Sequence, residues 1–285
     1  MQVRFCGVRG STPAPGSTFL RYGGHTSCVA LSHDGESAPR LVLDAGIGLR
    51  HVSALLEGQP YRGTVLLSHL HWDHTLELPF FAAGDRADAS VRVLLPEQRS
   101  GEDALAVLSR IMTPPFFPIE PTQLRGRWRF ESLEEGEHEI EGFAVLAREI
   151  PHKGGRTFGY RISDGRGTLT YMPDHCPTVL GPGEHGFGAY HASALELAHE
   201  ADLLVHDAQL FPAELAAEAD FGHSVADYPV ELAKRARALA VALFHHRYNR
   251  SDEDLDALAR RLGGGQRRAG SPLVSVAAEG EVLQL

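Results

Sequence analysis

Cysteine, basic residues and long apolar runs are all scarce in this sequence. The three cysteines, Cys6, Cys28 and Cys176, are scattered and odd in number. They supply neither a disulfide framework nor a CxxC metal pair, which fits a reducing compartment. No apolar stretch approaches the roughly 20 residues that span a bilayer, so no membrane association is expected. Lys and Arg number 27 against 37 Asp and Glu, a net charge of −10, which argues against a protein built to coat nucleic acid. No repeat of solenoid period is present. The start, Met1-Gln2-Val3-Arg4-Phe5-Cys6, reads as a strand without the apolar core of a signal peptide, so a cytoplasmic protein is expected.

What is present is a chain of 285 residues, 43% apolar and 22% charged, long enough to bury a large core without staples. Histidine is over-supplied at 16. Short apolar runs bounded by Gly, Pro or Asp predict strands at Gln2–Cys6, Cys28–Ser32, Arg40–Leu43, Thr64–Ser68 and Val91–Leu95. Further strands are predicted at Ala144–Ile150, Thr157–Ile162, Thr168–Tyr171, Leu203–His206, Ala240–Phe244, Leu273–Val276 and Glu281–Leu285. Helical periodicity marks Ile47–Glu57, Glu102–Met112, Ala192–His199, Val225–Ala236 and Asp252–Arg261. Both halves mix strands and helices with no linker between them. One α/β domain over residues 1–285 is expected, with two sheets packed face to face and helices outside.

The strongest chemical signal is Ser68-His69-Leu70-His71-Trp72-Asp73-His74, directly after a short buried strand. Four ligand-type side chains in six residues are hard to explain as packing. Imidazole suits Zn, Mn or Fe, and the carboxylate adds a hard anionic ligand. An HxH pair leaving a strand can hold one metal, and the Asp-His that follows points at a second metal nearby.

His69-x-His71-x-Asp73-His74 resembles the signature of the metallo-β-lactamase superfamily, and other pieces follow in that family's order. The resemblance implies a four-layer αββα sandwich. It implies one metal on His69, His71 and His152, another on Asp73, His74 and His245, and Asp174 bridging them. Asp44, ending Leu41-Val42-Leu43, matches the aspartate that buttresses the site. His245 keeps the pattern of apolar strand then ligand, and His246 is the alternative. Two divalent cations, zinc or else manganese, would hold a hydroxide between them. His175, beside Asp174, is either a pocket residue or solvated.

Downstream, His206-Asp207 ends a strand, and Phe221-Gly222-His223-Ser224 precedes a helix that Ser224 is placed to cap. This resembles the phosphodiesterase branch, where an acidic pair and such a histidine lie between the bridging aspartate and the last histidine, and the histidine stabilises the transition state or protonates the leaving group. The roles implied are Asp73 and His223 in catalysis, with Asp207 close by. The alternative for His223 is a turn residue at the helix cap. The opening segment, Gly7 to Pro13 through Arg21 to Ser27, is similar to that of RNase Z-like and cyclic-nucleotide phosphodiesterase-like hydrolases. Arg9, Arg21 and His25 could there face phosphate or simply solvent. Phe116 and Phe117, set among prolines, are the expected lid, stacking on a base, packing on a partner chain or packing on the domain itself. His33, His51 and His138 read as ordinary surface.

The sequence departs from the family at Glu77, where many relatives have Gly. It has no room for the β-CASP insertion and no obvious basic arm of the RNase Z type. The expected activity is hydrolysis of a small nucleotide-like diester such as a cyclic nucleotide. RNase Z-type RNA 3′ processing and phosphoribosyl cyclic phosphate hydrolysis are alternatives, and a metal-bound sensor is a non-enzymatic one. Extended nucleic acid is a less favoured partner, and a homodimer is expected.

Overall fold

The computed structural model describes residues 1–266 and 270–285. Its strands in chain order are β1 (Gln2–Gly7), β2 (Arg9–Gly10), β3 (Cys28–Ser32), β4 (Leu41–Leu43), β5 (Arg62–Leu66), β6 (Ser90–Pro96), β7 (Arg127–Leu133) and β8 (Gly136–Ile140). They continue as β9 (Phe143–Glu149), β10 (Phe158–Ser163), β11 (Thr168–Met172), β12 (Leu203–Asp207), β13 (Ala240–Phe244), β14 (His246–Arg247), β15 (Leu273–Val276) and β16 (Val282–Gln284). The helices are α1 (Leu49–Leu55), α2 (Ala104–Ser109), α3 (Ala192–Ala198), α4 (Leu215–Glu218), α5 (Asp227–Ala236) and α6 (Asp252–Arg261).

Two seven-stranded sheets form, β16-β1-β3-β4-β5-β6-β7 and β15-β13-β12-β11-β10-β9-β8, and β2 pairs with β14 in a small ribbon. Each large sheet is antiparallel in one part and parallel in the other. Pairing is antiparallel from β16 to β4 and parallel from β4 to β7. It is antiparallel from β8 to β11 and parallel from β11 to β15.

Strand side chains alternate in direction, so each central strand feeds two cores. Val3, Phe5, Val29, Leu31, Leu41 and Leu43 meet Val145, Phe158, Tyr160, Tyr171, Val205 and Phe244 between the sheets. The other face of the first sheet, with Cys28, Ala30, Val42, Val65 and Val93, packs on Leu49 and Val52 of α1 and Leu108 of α2. The other face of the second sheet, with Leu204, Val241 and Leu243, packs on Leu197 of α3, Leu232 of α5 and Leu255 of α6. Burying each such side chain contributes about 1.5–3 kcal/mol. The result is the expected sandwich of two mixed sheets with helices outside.

Several sequence expectations are corrected. β7 and β8 were not anticipated, because their sequences alternate in polar residues at a sheet edge. Ser224 does not cap α5. Its Oγ donates to the His175 carbonyl at 2.6 Å and its N–H to Asp207 at 3.1 Å, and α5 starts only at Asp227. Cys6, Cys28 and Cys176 are free and buried. Among the described residues no helix is long and apolar enough to cross a membrane.

Candidate metal centre

Open α/β sheets present functional groups beyond the carboxyl ends of their parallel strands. This molecule does so from both sheets at once. β4 leads into Asp44 and β5 into His69–His74, while β11 leads into Asp174, β12 ends in Asp207 and β13 leads into His245. Asp44 and His245 turn left-handed directly after their strands, at φ 60° and 56°. That conformation costs an L-residue about 1–2 kcal/mol and here aims each side chain inward.

Ligand atoms of His69, His71, His152 and Asp174 lie within 4.8 Å of one another, and so do those of Asp73, His74 and His245. Asp174 faces both groups, one oxygen to each. Its Oδ2 lies 3.7 Å from His69 Nε2 and 3.4 Å from His152 Nε2, and its Oδ1 lies 3.0 Å from His74 Nε2 and 3.2 Å from His245 Nε2. His245 Nε2 is 3.0 Å from Asp73 Oδ2, and His71 Nδ1 is 3.2 Å from His152 Nε2. Two ligands on a tetrahedral zinc at about 2.0–2.1 Å are about 3.3–3.4 Å apart, so these separations are of the size that ligands sharing one ion show.

Two buried atoms sharpen the point. His69 Nε2 and Asp174 Oδ1 have no hydrogen-bond partner. Leaving such groups unpaired costs about 1–3 kcal/mol each, and one lies in each half of the cluster, so each half calls for a ligand.

The far sides of His152, His74 and Asp73 are tied down, while His245 Nδ1 is buried without a partner. His152 Nδ1 donates to the Gly222 carbonyl at 2.6 Å, which leaves its Nε2 lone pair free. His74 Nδ1 donates to Asp44 Oδ2 at 2.7 Å. Asp44 also accepts from the Ser68 N–H at 2.6 Å, Ser68 Oγ at 2.9 Å and Tyr171 OH at 2.8 Å. The Ser11 N–H donates to Asp73 Oδ2 at 2.6 Å.

Burial pushes His69, His71 and His152 below their ordinary value, His152 to about 4, so these rings stay neutral and keep lone pairs for a cation. Burial also works against the charged form of His74, but Asp73, Asp174 and Asp44 outweigh it and hold His74 well above its ordinary value. Burial would raise Asp73 and Asp174, yet the surrounding imidazoles hold both well below the carboxylate range. Both therefore stay ionised and offer negative charge to a divalent cation.

Asp207 and His223 adjoin the cluster. Asp207 Oδ2 accepts from His223 Nδ1 and from the His175 and Ser224 N–H groups, each at 3.1 Å, and Oδ1 accepts from the Gln209 N–H at 2.9 Å. His223 Nδ1 is also 3.7 Å from Asp174 Oδ2. Burial depresses His223, but Asp207, Asp174 and Asp73 outweigh it and lift the imidazole to about 9. It is therefore protonated at neutral pH, with Nε2 as its free donor.

Other sequence candidates lie elsewhere. His246 donates from Nε2 to the Ala277 carbonyl at 2.9 Å, so of the two neighbours it is His245 that joins the cluster. Arg9 is fully buried and is used on the carbonyls of Gly23, Arg247 and Arg250. Arg21 pairs with Asp252, Glu253 and Asp256. His25 pairs with Glu279 at 2.9 Å. Arg9 keeps one buried nitrogen, Nη2, without a partner, and none of the three lines the pocket that opens on His69, His71 and His152.

Phe116 is 80% exposed, and Phe117 packs edge-on against Phe80 with ring centroids 5.6 Å apart. Both line an apolar pocket of about 570 Å³ with Trp72, Leu76 and Ile111. A second, polar pocket of about 600 Å³ opens on His69, His71 and His152 and carries Arg99, Arg110, Arg156 and Thr157. Arg110 borders both pockets.

Sequence reasoning missed a line of buried histidines behind Asp207. His206 Nδ1 donates to the Asp207 carbonyl at 2.8 Å, so its Nε2 accepts from His175 Nδ1 at 2.9 Å. His175 Nε2 in turn accepts from His191 Nε2 at 2.8 Å. Burial lowers all three, His206 to about 4. Only the pairing of His206 with Asp207 at a strand end hinted at this arrangement.

A two-sheet sandwich that gathers a histidine–aspartate cluster at the ends of its parallel strands is the plan of a metal-dependent hydrolase. Residues 39–246 match the family model described as the β-lactamase superfamily domain, and the chain belongs to that family. It is 26% identical over 288 aligned residues to a ribonuclease Z from Geobacillus kaustophilus, covering 86% of this chain and 88% of that protein. Among solved structures it is similar to the metallo-β-lactamase fold protein YhfI from Bacillus subtilis, at TM-score 0.66 and 18% identity over 99% of this chain and 98% of that one. It is also similar to a diphosphatase of the PhnP family, at TM-score 0.63 and 16% identity over 100% of this chain and 97% of that one. These two likenesses concern the fold.

Proposed function

We propose that the chain, acting as one unit over residues 1–285, is a dinuclear phosphodiesterase for a small nucleotide-like diester such as a cyclic nucleotide. His69, His71 and His152 would hold one divalent cation and Asp73, His74 and His245 the other, with Asp174 between them. Zinc fits the imidazole-rich donor set, and manganese fits its carboxylates. Such a cation pair supplies an acidified water and neutralises charge developing on the phosphoryl oxygens.

The observation that carries the reading is the Asp207–His223 pair, held 3.1 Å apart against the cluster. An alkoxide leaves poorly without a proton. His223 is charged at neutral pH and can donate from Nε2 to the departing oxygen. Asp207 keeps Nδ1 protonated and the ring in place, and four donors hold Asp207 itself. The polar pocket of about 600 Å³ is of a size for one nucleotide. The apolar pocket behind Trp72 and Phe116 suits a base.

The ribonuclease Z relative favours a second reading, cleavage of precursor RNA. A homodimer and a cytoplasmic location belong to the same proposal.

The test is turnover of cyclic mono- and dinucleotides, alongside tRNA precursors, by metal-loaded protein. Cutting of tRNA precursors with no cyclic-nucleotide turnover would overturn the first reading. His223→Gln should cost about 10²–10³-fold in kcat on alkyl diesters, within the usual range for a general acid. The loss should be much smaller with a p-nitrophenolate leaving group, which needs no proton. Equal losses on both would remove His223 from that role.

A further inference from the structure

We propose that His25, His51 and Glu279 form a further metal site, apart from the histidine–aspartate cluster, for one divalent transition-metal ion of the imidazole-binding kind such as Zn²⁺ or Co²⁺. One ligand-type atom of each residue lies within 4.8 Å of the other two. The site shares no residue with the cluster. It joins three distant stretches of chain, namely the loop before β3, helix α1 and the turn between β15 and β16.

Ring geometry calibrates the site against the cluster. The His25 and His51 rings have centroids 4.6 Å apart at 70°. Within the cluster, His69/His71, His69/His152 and His71/His152 lie at 4.5, 4.9 and 5.0 Å, at 77°, 77° and 65°. The buried pairs His175/His206 and His175/His191 have similar geometry, but direct N···N hydrogen bonds of 2.9 and 2.8 Å explain them. His25 and His51 are instead each hydrogen-bonded elsewhere, to Glu279 and to the Cys6 carbonyl.

The outer contacts are those of an oriented ligand set. His51 Nδ1 donates to the Cys6 carbonyl at 2.8 Å, which fixes the tautomer and leaves the Nε2 lone pair free. Glu279 Oε1 accepts the His25 backbone N–H, and Oε2 lies 2.9 Å from His25 Nδ1. Gly23, at φ 94°, lets the carboxylate approach, because a Cβ there would fall 2.1 Å from Glu279 Cδ. The His25 side chain is 29% exposed and that of Glu279 12%, so an ion can enter and water can complete its coordination. Two imidazoles and one carboxylate with open positions suit zinc or cobalt.

The experiment counts ions. Full-length protein is stripped with a chelator, dialysed against Zn²⁺ or Co²⁺ and analysed for metal per chain. Wild type is compared with His51→Ala and with Glu279→Gln, which keeps an acceptor for the His25 N–H. Each variant should hold one ion fewer than wild type, or bind that ion at least tenfold more weakly. Equal counts and affinities in all three chains would overturn the site and leave an ordinary His–Glu hydrogen bond. The difference does not depend on how many ions the cluster holds, so failure of the phosphodiesterase reading is a separate outcome. Circular dichroism of the metal-free chains checks folding, and Glu279→Gln carries the test if His51→Ala does not fold.

Discussion

Two groups of histidines in this molecule have nearly the same ring geometry and opposite chemistry. In the cluster at the strand ends, rings converge on each other and on Asp73 and Asp174, and buried atoms are left without hydrogen-bond partners. In the line His191–His175–His206, every inner nitrogen is satisfied and the last proton ends on a backbone carbonyl. No carboxylate oxygen faces those three rings at hydrogen-bond distance among the described residues. Histidine density is therefore a poor sign of a metal centre by itself. Leftover donors together with convergent carboxylates are the better sign, because only they leave a cation something to gain.

The contrast can be broken in four places, the largest effect first. Asp174→Ala removes the carboxylate that faces both halves of the cluster. It should lower kcat/KM on the order of 10⁴-fold and cut bound metal in equilibrium dialysis. Retained metal and activity would reduce the cluster to the same standing as the line.

The second place is pH. Burial holds His206 at about 4, below the roughly 6.5 of the unfolded chain. Its contribution is complete above pH 6.5 and is lost as pH falls towards 4, about 3 kcal/mol in all. Urea melts of metal-free protein between pH 7 and 4 should show that loss, reduced in His206→Gln. An unchanged slope would mean the line is not held neutral by burial.

The third place is Asp44→Asn, which leaves every proposed ligand present but weakens the hold on His74. A 10–100-fold loss of metal affinity by competition titration is expected, with the fold intact by circular dichroism. The smallest effect belongs to His191→Gln at the half-buried end of the line. It should change stability by less than about 1 kcal/mol in urea melts and leave the metal count untouched.

Four members of the cluster were legible before the fold because they are adjacent behind an apolar strand, and the family resemblance supplied His152, Asp174 and His245. α6 was readable to the residue from its acidic start, basic end and apolar period. What could not be read is whatever depends on side chains meeting across the sandwich. Tyr171 reaches Asp44 from 127 residues away, and Ser11 reaches Asp73 from 62. Arg9 looked available for phosphate only because the three carbonyls that occupy it come from elsewhere in the chain. β7 and β8 escaped notice because an edge strand with one polar face lacks the apolar run that marks a central strand. His51, which read as surface, is half-buried against His25 for the same reason.

The left-handed turn that aims His245 comes late in the chain, 172 residues after Asp73. At about 5–20 residues per second, a ribosome needs on the order of 10–30 s to make that stretch. Through this interval the loop after β5 has its ligand-type side chains, while His152, Asp174 and finally His245 are added one after another. A metal captured then would meet only part of its coordination sphere and could leave again. Dividing the set between two sheets would thus make tight metal capture a late event in the protein's biogenesis, tied to completion of the second sheet.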